Sequence, residues 1–163
     1  MPLGIAPYIN IGAESGGAKK AIAWYKSVLG ANIKCVLETS CPAGSTEGEA
    51  KIGHAEMMLG PNLIMLSDAF PGMGKTPADL GGCPITLTAM YPKGKSKMVY
   101  DNAIKGGATV PEGREYKEQP WGWEAGTIVD PFGYTWTIGE DAKGWSDAEI
   151  GENLKMKNIT SEF

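Results

Sequence analysis

The sequence predicts an α+β protein made of two copies of one strand-helix-strand-strand-strand unit, and three observations carry that reading. Trp121 to Glu140, WGWEAGTIVDPFGYTWTIGE, reads as a strand, a tight turn and a second strand. Its β-branched and aromatic runs suit a half-buried pleat, and in Asp130-Pro131-Phe132-Gly133 the proline presets φ while the glycine permits a positive φ. A weaker copy of this pattern stands earlier, as GHAEMMLGPNLIMLSD from Gly53 to Asp68. Finally, laying LGANI (Leu29 to Ile33) on GGATV (Gly106 to Val110) aligns two helix ends, and laying LIML (Leu63 to Leu66) on TWTI (Thr135 to Ile138) aligns two last strands. Two units of this size are a duplicated module and not a solenoid.

Taken in order, Ala6 to Ile11 alternates and predicts a short strand. GAESGG breaks it, with Ser15 a candidate helix N-cap, and AKKAIAWYKSVLGA then sets Ile22, Tyr25, Val28 and Leu29 at helical spacing, closed by Gly30. Ile33 to Glu38 reads as a second strand and Ser40 to Glu49 as a solvent loop. Gly53 to Leu59 and Leu63 to Ser67 form a hairpin over Gly60-Pro61-Asn62. Asp68 to Gly82 is rich in Gly, Pro and Asp, has no period, and reads as a linker. The second half repeats the order, with a strand at Ile85 to Tyr91, the lysine-rich loop PKGKSK and a helix at Met98 to Lys105. A loop then leads to the aromatic hairpin. The expected organisation is a first module over residues 1–68, a linker over 69–82 and a second module over 83–141, all in one domain.

A chain of 163 residues with a formal charge of −4 fits one domain or two small, closely packed modules. No basic tract or basic helix face supports nucleic-acid or anionic-membrane binding, and no apolar run approaches a membrane span. MPLGIAPY lacks the pattern of a signal peptide, so a cytoplasmic protein is expected. The three cysteines, Cys35, Cys41 and Cys83, lack a CxxC spacing and read as free thiols, with a Cys35 to Cys41 contact across a hairpin as the alternative.

Strand alternation separates two faces. Ile64, Leu66, Trp136, Ile138, Ile85, Leu87, Ala55, Met57 and Leu59 fall on the face covered by each module's helix. Met65, Thr135, Thr137, Thr86 and Thr88 fall on the other, beside His54, Glu56 and Met58, with Tyr8 and Asn10. His54 is the single histidine, which limits any histidine-based site to one member. At i, i+2 on a strand, His54 and Glu56 share a face and suit a base and its partner. Trp121, Trp123, Tyr134 and Trp136 are candidates for an aromatic box. Alternation sends Trp136 to the core and leaves Trp121 and Trp123 as the better wall.

With these strings in hand, PYINI, AIAWYKSVLGA, GHAEMMLG, IMLSDAFPGMG, the opening of Gly81 to Pro84, GGATV, Trp121-Gly122 and DPFGYTW, the chain resembles the vicinal oxygen chelate superfamily. That superfamily includes glyoxalases, bleomycin- and fosfomycin-resistance proteins and extradiol dioxygenases, and the resemblance is narrowest to its PhnB-like branch. It implies two βαβββ modules in a half-open mixed β-barrel, a homodimer, and a C-terminal helix for SDAEIGENLKM within a tail over residues 142–163. Metal-dependent members hold a divalent ion with His, Glu or Gln from the first and last strands of each module. Carried over, those positions fall at about Ala6, Met65, about Thr88 and Thr137. Hard and borderline ions need carboxylate or imidazole donors, so no metal and no other cofactor is expected. The branch commonly reads WGDRxG where this chain has Trp121-Gly122-Trp123-Glu124-Ala125-Gly126, and the loss of that arginine points away from an anionic ligand.

The expected function is therefore metal-free binding of a neutral or cationic, partly aromatic small molecule between the modules. Tyr8, Met58, Met65, Thr88, Trp121, Trp123 and Thr137 would line the pocket. The alternative is a lyase-, isomerase- or transferase-type enzyme working through His54 and Glu56, with or without a metal.

Overall fold

The computed structural model describes residues 4–39 and 50–157. The chain divides into two compact units, one spanning Met1–Pro84 with Pro131–Tyr134, the other Ile85–Asp130 with Thr135–Phe163. Cys41 and the whole of the expected Ser40 to Glu49 loop lie outside the described residues.

In the first unit the elements run β1 (Tyr8–Ile11), a 3₁₀ turn (Ala13–Ser15), α1 (Gly17–Val28), β2 (Asn32–Thr39), β3 (Lys51–Leu59), β4 (Asn62–Asp68) and a one-turn helix α2 (Pro77–Leu80). The sheet order is β1-β4-β3-β2, with β1 parallel to β4 and the other pairs antiparallel. Ile9, Ile11, Ala55, Met57, Ile64 and Leu66 are buried on the face that receives Ala21, Tyr25 and Leu29 from the helix region. Two expectations change here. Ser15 is not the helix cap, because its hydroxyl donates to Gly12 O, and the α1 N-terminus is served instead by Asp68 Oδ1, which accepts from Ala18 N. The expected linker contains α2, a turn held by a reciprocal Thr76 and Asp79 capping box that its lack of hydrophobic period concealed.

The second unit runs β5 (Thr86–Met90), α3 (Ser96–Lys105), β6 (Lys117–Glu118), β7 (Trp123–Val129), β8 (Thr135–Asp141) and α4 (Asp147–Met156). Its order, β5-β8-β7-β6, repeats that of the first unit, with β5 and β8 parallel. Ile128, Trp136 and Ile138 are buried on the same face as Val99, Tyr100 and Ala103 of α3, and Trp136 Nε1 donates to Asp130 Oδ2 at 2.9 Å. Ile85, expected on that apolar face, lies outside β5 and is 64% exposed.

The duplication extends to the helix caps. Under the alignment that lays LIML on TWTI, Asp68 falls on Glu140, and each carboxylate closes the start of its own unit's helix. Asp68 accepts from Ala18 N and Ile52 N, while Glu140 accepts from Gly94 N, Lys95 N, Ser96 N and the Ser96 hydroxyl. Negative charge at a helix N-terminus meets the unpaired N–H groups and the positive end of the dipole. Gly17, at φ +75°, stands where a Cβ would lie 2.9 Å from Asp68 Oδ1, so this cap requires glycine.

The DPFG turn does more than connect strands. Phe132 and Tyr134 are buried in the first unit, with the Phe132 ring 5.7 Å from Tyr25. Tyr134 OH accepts from Asn10 N and donates to Asn10 O. Tyr134 is thus a clamp on β1 and no part of an aromatic box.

Candidate functional site

In the first unit, the face away from α1 carries a continuous row. Tyr8 pairs with Met65, Met65 with Glu56 and Glu56 with Cys35, one residue from each of the four strands. Paired residues point to one side of a sheet, so this row and His54, two residues before Glu56, share a surface. His54 sits between two partners, with Tyr8 OH 3.2 Å from Nδ1 and Glu56 Oε1 3.6 Å from Nε2. Lys34 Nζ lies 3.9 Å from Glu56 Oε2. The Cys35 sulfur, a His54 ring nitrogen and a Glu56 oxygen all fall within 4.8 Å of one another.

Cys35 reaches this face through a bulge. Ile33 pairs with Met57 and Cys35 with Glu56, leaving Lys34 as the extra residue, so Ile33 and Cys35 point to opposite sides although they are two apart. Simple alternation would place Cys35 beneath the helix with Ile33. In the sequence Cys35 stands out only as a thiol without CxxC spacing.

The second unit holds a cavity of about 320 Å³. Thr127 and Thr137, paired across β7 and β8, form its floor with Ala125, their hydroxyl oxygens 3.5 Å apart. Trp121 walls one side, and Gly113 to Glu115, Lys117 and Gln119 form another. Gln119 is fixed by donating to Lys117 O and Ala125 O, and Lys117 Nζ donates to Gly113 O. The Arg114 guanidinium has no hydrogen-bond or ion-pair partner among the described residues.

Of the residues expected in the pocket, Trp121 and Thr137 line this cavity. Trp123 meets Trp121 edge-on at 6.3 Å between ring centroids, and Thr88 lies in register with Thr137. Tyr8, Met65, His54 and Glu56 gather on the sheet of the first unit, with Met58 two residues beyond Glu56 on the same strand face. Thr127 was legible from its pairing with Thr137. Arg114 sits in the aperiodic stretch PEGREYKEQ, where no pattern marks it. Its presence alters the electrostatic argument, since a guanidinium enters the wall from a loop that the WGDRxG comparison does not cover.

The register also refines the positions that a superfamily metal would use. Tyr8, and not Ala6, stands opposite Met65 as Thr88 stands opposite Thr137. A phenol, a thioether and two threonine hydroxyls supply neither carboxylate nor imidazole, so this donor set does not fit a hard or borderline divalent ion.

No protein-family profile matches the chain. Among solved structures, protein PA1353 from Pseudomonas aeruginosa superposes with a TM-score of 0.68 at 20% identity, covering 86% of this chain and 98% of that one. The PhnB protein from Bacillus cereus gives 0.58 at 16% identity, with 83% and 98% covered. A glyoxalase/bleomycin resistance protein/dioxygenase from Nocardioides gives 0.53 at 13% identity, with 90% and 89% covered. The fold is that of the vicinal oxygen chelate superfamily, two βαβββ modules each with a four-stranded mixed sheet.

Closer in sequence, protein Mb0911c of Mycobacterium bovis is 32% identical over 106 residues, 63% of this chain and 67% of that protein. The match spans 60% of its counterpart Rv0887c from Mycobacterium tuberculosis. YjdN of Escherichia coli K12 is 28% identical over 150 residues, 85% of this chain and 94% of YjdN. The chain belongs to one family with Mb0911c. No helix among the described residues is long and apolar enough to cross a membrane.

Proposed function

We propose that this chain is a small-molecule-binding protein of the glyoxalase/bleomycin-resistance type that acts as a cytoplasmic homodimer without the superfamily's usual divalent-metal site. The observation that carries the reading is the cavity in the second unit. Its volume of about 320 Å³ suits a compact ligand, and it combines an aromatic wall at Trp121 with a hydroxyl floor at Thr127 and Thr137. Sequestration needs no reactive group, which agrees with the residues that line it. The partly aromatic ligand expected from the sequence is retained in this reading, but its charge is revised. The Arg114 guanidinium, without a partner among the described residues, opposes a cationic ligand and favours a neutral or acidic one that presents acceptor oxygens to it.

Native mass spectrometry of protein purified without denaturation tests the proposal, since it reads bound mass and subunit number together. The expected result is a dimer retaining a small aromatic molecule. Trp121→Ala and Arg114→Ala should each weaken binding of that molecule about tenfold, the size of one lost stacking or charge-assisted contact. Retention that neither substitution alters would overturn the assignment of this cavity, and a monomer would overturn the dimer.

The second reading is a lyase-, isomerase- or transferase-type enzyme, and one observation favours it. His54 is bracketed by the Tyr8 hydroxyl and the Glu56 carboxylate, an arrangement that orients an imidazole for proton transfer. Conversion of the retained molecule by the unaltered protein but not by His54→Gln supports this reading. Its recovery unchanged after prolonged incubation removes it.

A further inference from the structure

We propose that Cys35, His54 and Glu56 form a zinc site on the sheet of the first unit. Its place differs from the superfamily's metal positions on the first and last strands of each module, because these donors come from β2 and β3. The inference is independent of the cavity in the second unit.

The chemistry of the donor set comes first. A thiolate, an imidazole and a carboxylate are the three ligand types that zinc prefers. With the thiol deprotonated, two negative charges balance the ion, and the thiol proton leaves to solvent on binding. Tetrahedral zinc with bonds of 2.0 to 2.3 Å sets its donors roughly 3.3 to 3.8 Å apart. His54 Nε2 and Glu56 Oε1 already stand 3.6 Å apart, and the three donor atoms lie within 4.8 Å. The remaining closure of about 1 Å is within reach of side chains whose terminal groups are solvent-accessible. Three protein ligands leave a fourth position for water or an exogenous donor.

The surroundings agree with this assignment. Tyr8 OH stands against His54 Nδ1 at 3.2 Å. If Nδ1 carries the proton and donates to that hydroxyl, Nε2 is left as the lone-pair nitrogen on the Glu56 side, the tautomer a metal requires. The bulge at Lys34 brings the sulfur to this face, and paired strands hold all three donors. One group opposes the ion. The Lys34 ammonium, 3.9 Å from Glu56 Oε2, competes for the carboxylate.

The test is titration of the apo protein with cobalt(II) and zinc(II) alone, read by the thiolate-to-cobalt charge-transfer absorption and by calorimetry. Far-UV circular dichroism on each variant confirms folding. One ion per chain with that absorption is expected. Cys35→Ser should abolish the band, and His54→Gln and Glu56→Gln should each weaken binding at least tenfold. Tyr8→Phe, which keeps every ligand, should weaken it about tenfold with the band retained. Lys34→Ala should tighten binding, whereas Cys83→Ser should leave it unchanged. Substoichiometric binding, absence of the band, or a band that survives Cys35→Ser would overturn the proposal.

Discussion

Glu140 illustrates how one side chain links fold and pH. Its carboxyl is held down to about 2, first by the Ser96 hydroxyl and then by the N–H groups of Gly94, Ser96 and Lys95, against a burial cost in the other direction. Because Ser96 Oγ donates to Glu140, the Tyr116 hydroxyl must donate to Ser96, extending the network to the residue just before β6, whose ring packs on Tyr100 of α3. A folded value below the ordinary 4.5 means that the stabilisation is complete above pH 4.5 and is lost as pH falls toward 2. Glu140→Gln turns an amide NH₂ toward buried donors and should cost about 1 to 3 kcal/mol in urea unfolding at neutral pH. The stability difference between the two proteins should shrink as pH is lowered through that window. A difference that stays constant with pH would show that the carboxylate's charge is not what matters. The sequence shows Glu140 only as the acid that ends the closing strand. What it lacked was the loop geometry that delivers Gly94 to Ser96.

At the scale of elements, alternation located the strands and faces well wherever the ladder is regular. Met65, Thr137, Trp136 and Leu66 all lie on their expected sides because β4 and β8 are central strands paired on both edges. It failed where the ladder is interrupted. Lys34 breaks the parity of β2, and β6 is a two-residue strand inside what reads as a loop. Arg114, Lys117 and Gln119 enter the candidate site around that short strand. Close packing between β7 and β8 is also invisible in composition. A Cβ at Gly139 would sit 2.7 Å from Ala125 Cβ and 3.0 Å from Glu124 O. Gly139→Ala should therefore destabilise the protein by about 1 to 3 kcal/mol through overpacking, measured by thermal or urea unfolding. Unchanged stability would show that the two strands part easily at the cavity floor.

For the whole molecule, the duplicated topology preserved the frame and let the surfaces diverge. Both units keep the strand order, the parallel first and fourth strands and an acid at the helix start. On the exposed sheet faces the first unit carries Tyr8, His54, Glu56 and Cys35, while the second carries threonines and a cavity. The repeat was legible because hydrophobic spacing records the frame. The divergence was only partly legible, since polar residues on a solvent-facing surface follow no period. The bulge at Lys34 also bears on how copies of the chain meet. β2 is an outer strand of its sheet, with Val36 and Leu37 exposed, and an irregular backbone with a lysine at the irregularity is a poor template for a further strand. Deleting Lys34 would leave Cys35 opposite Glu56 but straighten that border. The shortened chain should form assemblies larger than a dimer on concentration, measured by light scattering, where the unaltered chain stays dimeric; equal behaviour would assign the protection to another feature. One inserted residue would then serve as a solubility element written in chain length.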